Sequence, residues 1–122
     1  MYMAAIFFAS AEPNMPLEGR TSLSDKEIHA AVYLGLALLA YRAALMIPLG
    51  RAFDPLAQAL MISALYGMLD EIHQLFVPGR HSDVRDWLAD VTGTLIAVSA
   101  IVLVRTFAGN GGTRSVQEEE RQ

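Results

Sequence analysis

The chain has 122 residues, enough for one domain, with 53% hydrophobic and 18% charged residues and a mean hydropathy of +0.34. A soluble domain usually carries about a quarter charged residues, so the apolar excess needs an explanation of its own. The formal net charge of -4 argues against a nucleic-acid surface, and the absence of cysteine excludes disulfides, thiolate metal sites and cysteine nucleophiles.

Residues 1–9 are apolar but few. At about 1.5 Å per residue they cover less than half of a ~30 Å hydrocarbon core. A partial membrane helix, a short interfacial helix and a signal peptide cut near Ala9-Ser10-Ala11 all compete for this segment. No basic residue precedes the apolar stretch, which counts against the signal peptide and leaves the partial membrane helix as the expectation. A polar loop with Pro13, Pro16 and Gly19 follows and ends in Ser24-Asp25-Lys26-Glu27. Ser24 can cap a helix there, with Glu27 three residues on to complete a capping box.

The second apolar run, 28–49, is interrupted by His29 and Arg42, and Pro48, Gly50 and Pro55 mark the turn after it. The third, 56–77, ends at Pro78-Gly79, and 80–86 form a short charged connection. The fourth, 87–107, has Asp90 as its only early charge. Residues 109–122 are glycine-rich and then acidic, so a membrane domain over 1–108 followed by a disordered acidic tail is expected.

Each of the last three runs has roughly the 20 residues needed to cross a bilayer. The competing reading is a soluble bundle with unusually apolar helices, and the third run helps to decide. At 100° per residue, Met61, Leu65, Met68, Leu69, Ile72 and Phe76 share a broad arc, while Ser63, Gly67, Asp70, Glu71 and Gln74 share the narrower opposite one. A water-facing arc would be long and charged throughout. This one begins instead with Ala59, Ser63 and Gly67 at four-residue spacing, which lets membrane helices approach closely. The fold class expected is all-α, a small transmembrane bundle of about four helices with the first short or truncated.

Antiparallel helices with short connections alternate in direction, so the start of the second run, the end of the third and the start of the fourth meet on one side. Those ends carry Lys26, His29 and Tyr33; Asp70, Glu71, His73 and Gln74; Arg80, His81, Ser82, Asp83 and Arg85; and Asp86 and Asp90 one turn apart, followed by Gly93 and Ala97. Charge inside a membrane helix is costly and normally faces the bundle interior or a wet cavity. Glu71 stands about six residues from the end of its run, or roughly 9 Å deep, and is expected to be buried and paired with Arg80 or Lys26. The plainer reading, helix caps and loop clamps, suits Asp83 and Arg85 better than Glu71 and Gln74, which have no helix end to cap. His73 lies at the edge of the polar arc, where packing is its simplest role. Arg42 and Arg105 are expected to snorkel to the opposite interface.

The stretch from Tyr66-Gly67-Met68-Leu69-Asp70-Glu71-Ile72-His73-Gln74 to Pro78-Gly79-Arg80, followed by Asp86-Trp87-Leu88-Ala89-Asp90-Val91-Thr92-Gly93, resembles the VanZ-like family. Asp25-Lys26-Glu27-Ile28-His29 resembles its earlier motif, and Tyr2 to Ser10 the end of its first helix. The resemblance implies a small bacterial membrane protein of about four helices, in a family whose namesake is associated with low-level resistance to the glycopeptide teicoplanin. It marks Lys26, His29, Glu71, Gln74, Arg80 and Asp86 as the family's polar residues, and places Asp90 where Asn is common.

Three functions follow as expectations. The first is a membrane enzyme or ligand site acting on an envelope lipid or lipid-linked molecule. In it Glu71 is a general base, Asp86 or His29 its catalytic partner, and Lys26, Gln74, Arg80 and Asp90 bind substrate, the two cations holding a phosphate or carboxylate. The second is a non-catalytic protein whose cluster locks the bundle or binds a partner. The third is a proton or ion path. A metal site from His29, His73, Glu71 and Asp90 has no diagnostic spacing, so no metal ligand and no cofactor are assigned. Membrane lipids are the expected partners, and the bacterial inner membrane, crossed several times, the expected location. Lys26, Arg20, Arg80 and Arg85 lie on the cluster side, against Arg42, Arg51, Arg105, Arg114 and Arg121 on the other. Reserving some of the first set for the site leaves the other side more basic, and so points the cluster away from the cytoplasm.

Overall fold

The computed structural model describes residues 1–12, 24–46, 53–80 and 82–119, with side chains up to Ala108. The loop with Pro13, Pro16 and Gly19, the turn residues Pro48 and Gly50, and His81 lie outside the described residues, as do Arg20, Arg51 and Arg121. Among the described residues four helices follow in chain order: α1 (Tyr2–Ser10), α2 (Asp25–Met46), α3 (Pro55–Gln74) and α4 (Val84–Glu119). The all-helical bundle anticipated from the sequence is the observed fold.

Local chemistry explains where the helices start. Glu27 Oε2 accepts from the Ser24 backbone N–H at 2.7 Å and from Ser24 Oγ at 2.9 Å, which closes the capping box ahead of α2. Asp54 caps α3 by accepting from the Leu56 N–H at 2.9 Å, with Pro55 in the first turn. Asp83 accepts from the Arg85 N–H at 2.9 Å at the entry to α4 and caps it, as the sequence suggested. Gly79 has φ 84°, the left-handed conformation that lets the chain turn between α3 and α4. The backbone of α4 runs on to Glu119, beyond the end at Phe107 expected for the fourth run. Gly109, Gly111 and Gly112 each cost about 1 kcal/mol relative to Ala in that extension.

Among the described residues two helices are long and apolar enough to cross a membrane: α2, and α4 over Val84–Ala108. The third run was expected to qualify as well. It does not, because its last turns hold Asp70, Glu71, His73 and Gln74. The packing of α3 nevertheless fits a bilayer. Its polar arc is inside, with Ser63 at 0%, Gln74 at 1%, Asp70 at 4% and Glu71 at 7% exposure, while Leu65, Met68, Leu69 and Phe76 are all more than half exposed. Burying carboxylates while presenting leucines outward would be costly in water and favourable in hydrocarbon.

Small residues make the crossing tight. Ala37, Ala40 and Ala44 of α2, Ala59 and Ser63 of α3, and Gly93 and Ala97 of α4 are buried. A Cβ on Gly93 would stand 1.9 Å from the Ala30 carbonyl oxygen, so α2 and α4 touch backbone to backbone there. A Cβ on Gly67 would meet Asp90 Oδ2 at 2.9 Å and Tyr33 Cε1 at 3.2 Å, so α3 closes against both neighbours at that residue. The short α1 lies on α2 and α3. Tyr2 donates to the Val32 carbonyl at 2.9 Å, Tyr66 donates to the Met3 carbonyl, and the Phe7 ring stacks on His73 with centroids 4.1 Å apart. At the other end of the bundle Arg42 and Arg105 are exposed, in keeping with side chains that reach for an interface.

Candidate functional site

The ends expected to converge do converge. Lys26, on the first turn of α2, places Nζ 2.8 Å from Asp86 Oδ1 and 3.9 Å from Asp83 Oδ2. One turn deeper, His29 Nδ1 lies 2.9 Å from Asp90 Oδ1, with His29 3% and Asp90 0% exposed. The i, i+3 spacing of Lys26 and His29 and the i, i+4 spacing of Asp86 and Asp90 put both pairs on facing stripes of α2 and α4.

Glu71 is buried, as expected, but its partners are not the expected ones. Its Oε2 accepts from Ser82 Oγ and from the Asp83 backbone N–H, both at 2.9 Å. No ion pair joins it to Arg80 or Lys26 among the described residues. The connection after Gly79 folds back over α3 and offers neutral donors first, while Lys26 is held by Asp86. Arg80 is half-buried, with its Nε unpartnered. Gln74 donates to Asp70 Oδ2 at 3.3 Å, and Ser10 Oγ lies 2.8 Å from the same oxygen. The site therefore brings together Lys26, His29, Glu71, Gln74, Asp86 and Asp90, and adds Asp70 and Ser10, which were not assigned roles from the sequence. Asp70 was visible on the polar arc of its run. Ser10 gave no signal, because a helix of nine residues places its last side chain only through its packing.

A model of the VanZ/LLP1 family matches residues 2–105. The chain belongs to the VanZ/LLP1 family. No curated protein and no solved structure matches it. Family membership and the two membrane-competent helices together make this a VanZ-like membrane protein.

In this VanZ-like protein the cluster is unusual for what it leaves unpartnered. Buried atoms without a hydrogen-bond partner include His29 Nε2, Tyr33 Oη, Asp70 Oδ1, Glu71 Oε1 and Asp90 Oδ2. Buried polar atoms are normally satisfied, so a concentration of this kind calls for an explanation. Two groups have ligand atoms within 4.8 Å of one another: Asp25, His29 and Asp86 on the outside, and His29, Glu71 and Asp90 within. His73, considered with them from the sequence, belongs to neither group and packs on Phe7 instead.

Beside the cluster a cavity of about 240 Å³ opens between α1 and α2. Ala5, Ile6, Ile28 and Val32 line its apolar length, and Ser10, His29 and Asp70 bring it to the polar site.

Proposed function

We propose that this membrane protein binds an envelope lipid or lipid-linked molecule, with its chain in the α1–α2 cavity and its polar group at the cluster. The observation that carries this reading is the continuity of an apolar cavity with buried His29 and Asp70. An amphipathic ligand needs both surfaces in one place. Arg80, half-buried and without a carboxylate partner among the described residues, supplies a cation for a phosphate or carboxylate, and Lys26 supplies a second at the rim. Glu71 retains one free carboxylate oxygen for general-base work, with His29 and Asp86 within the same cluster. A role in glycopeptide resistance would act through this site.

The test is binding of a polyprenyl phosphate and of phosphatidic acid to the purified protein in detergent, read by native mass spectrometry. Saturable binding weakened at least about tenfold by Ala9→Trp, which fills the cavity, is the expected result. No saturable binding of either lipid, or binding untouched by Ala9→Trp, overturns the reading.

A second reading draws on the two hydrogen bonds from the α3–α4 connection to Glu71 Oε2. In it the carboxylate clamps the loop and the cluster is architectural. The site is assigned to the extracytoplasmic side of the bacterial inner membrane. Ser82→Cys is then labelled by an impermeant thiol reagent on intact cells, and labelling only after lysis reverses the orientation.

A further inference from the structure

We propose that His29, Glu71 and Asp90 bind one divalent metal cation of the zinc and manganese class. Each residue offers a ligand atom, and the three atoms lie within 4.8 Å of one another, a spacing that one ion can bridge. All three residues are more than nine-tenths buried.

A second observation points to a ligand independently. Each of the three keeps a buried polar atom with no partner: His29 Nε2, Glu71 Oε1 and Asp90 Oδ2. Tyr33 is 1% exposed and its hydroxyl has no partner among the described residues. Its ring and Asp90 Oδ2 pack against the bare Cα of Gly67, which lets α3 close on α2 and α4 beside these groups.

Charge balance leads the same way. Asp70, Glu71, Asp86 and Asp90 are four buried carboxylates. Lys26 answers Asp86, and His29 is neutral when it ligates a metal. Asp70, Glu71 and Asp90 then remain without a cation among the described residues, and uncompensated buried charge is expensive. A divalent ion offsets two of these three charges.

The donor set gives the chemical class. One imidazole nitrogen and two carboxylate oxygens suit zinc, manganese or ferrous iron, whereas calcium favours an all-oxygen cage. The surroundings already hold the ligands in place. Ser82 Oγ and the Asp83 N–H fix Glu71 through Oε2, leaving Oε1 free. With its ring proton on Nδ1 and donated to Asp90, His29 keeps the Nε2 lone pair free. With the proton on Nε2, Nδ1 and Asp90 Oδ1 face each other as two acceptors at 2.9 Å, a separation that two ligands of one ion also adopt. The outer group of Asp25, His29 and Asp86 is the weaker candidate, because the Lys26 ammonium already occupies the field of Asp86.

Three protein ligands leave coordination positions open, as in metal centres that hold water or a substrate oxygen. The metal assignment does not depend on the lipid reading; it gives Glu71 Oε1 to the ion in place of proton transfer, and its test involves no lipid. The full chain, purified in detergent without a polyhistidine tag and stripped with chelator, is titrated with Zn²⁺ and Mn²⁺ by calorimetry. One ion per chain at micromolar affinity or tighter is expected. Glu71→Gln and Asp90→Asn each weaken binding at least about tenfold, and Asp25→Asn leaves it unchanged. A second readout uses the wild type and so does not depend on the folding of a variant. Pulsed electron paramagnetic resonance of bound Mn²⁺ should show coupling to a single imidazole nitrogen. Absence of saturable binding to the wild type, a bound Mn²⁺ without nitrogen coupling, or loss of binding in Asp25→Asn with retention in Glu71→Gln would overturn the assignment.

Discussion

Asp86 and Asp90 stand one turn apart on the same face of α4, and they meet very different surroundings. Asp86 faces a lysine whose side chain is still 49% exposed, so its charge is answered from the rim, where water helps. Asp90 is fully buried, bonds to the imidazole of His29, and among the described residues keeps one oxygen unpartnered beside a second buried carboxylate. A single helical turn, about 5.4 Å, thus separates a conventional ion pair from a site with capacity to spare. Residue type alone says little about the role of a membrane carboxylate. Depth and the supply of partners decide it.

The largest effect should come from removing the contact on which both pairs depend. Gly93→Ala places a methyl 1.9 Å from the Ala30 carbonyl and forces α2 and α4 apart, at a cost of about 3 kcal/mol or more. Detergent melting should show a large loss of stability; a wild-type melt would mean that the backbones do not touch there. His29→Ala acts on the inner pair alone, leaving Asp90 without its hydrogen bond in a closed site. A loss of about 1–3 kcal/mol is expected by the same measurement. Should His29→Ala melt like wild type, Asp90 would have to be solvated or otherwise partnered.

Glu71→Gln sharpens the contrast between chemistry and architecture. The amide oxygen can still accept from Ser82 and Asp83, so stability should change by less than about 1 kcal/mol. The cellular effect, read as teicoplanin susceptibility or another envelope phenotype, should nevertheless disappear. Loss of both stability and phenotype would favour the loop-clamp reading, and retention of both would remove Glu71 from the site altogether. The smallest effect belongs to Lys26→Ala. Its ammonium is half exposed, so water can take its place beside the buried Asp86 carboxylate, and melting should barely move. A loss comparable to that of His29→Ala would erase the distinction between the two pairs.

Much of the helix geometry was legible in the chain by itself. The capping box at Ser24 and Glu27, the turn at Pro78-Gly79, and the division of α3 into an exposed apolar and a buried polar arc all follow from local rules of hydrogen bonding and a 3.6-residue period. The convergence of Lys26, His29, Glu71 and Asp86 followed from helix direction alone, because short connections force neighbours to run antiparallel. Tertiary structure decided which of the assembled groups bond. Glu71 was expected to meet Arg80 or Lys26, and took Ser82 and the Asp83 N–H instead; Ser10 entered the site from a helix too short to predict. Periodicity sets the face on which a side chain lies to within a broad arc. A hydrogen bond requires placement within a few tenths of an ångström, and that depends on how far Gly67 and Gly93 let the helices close and on how the loop folds back.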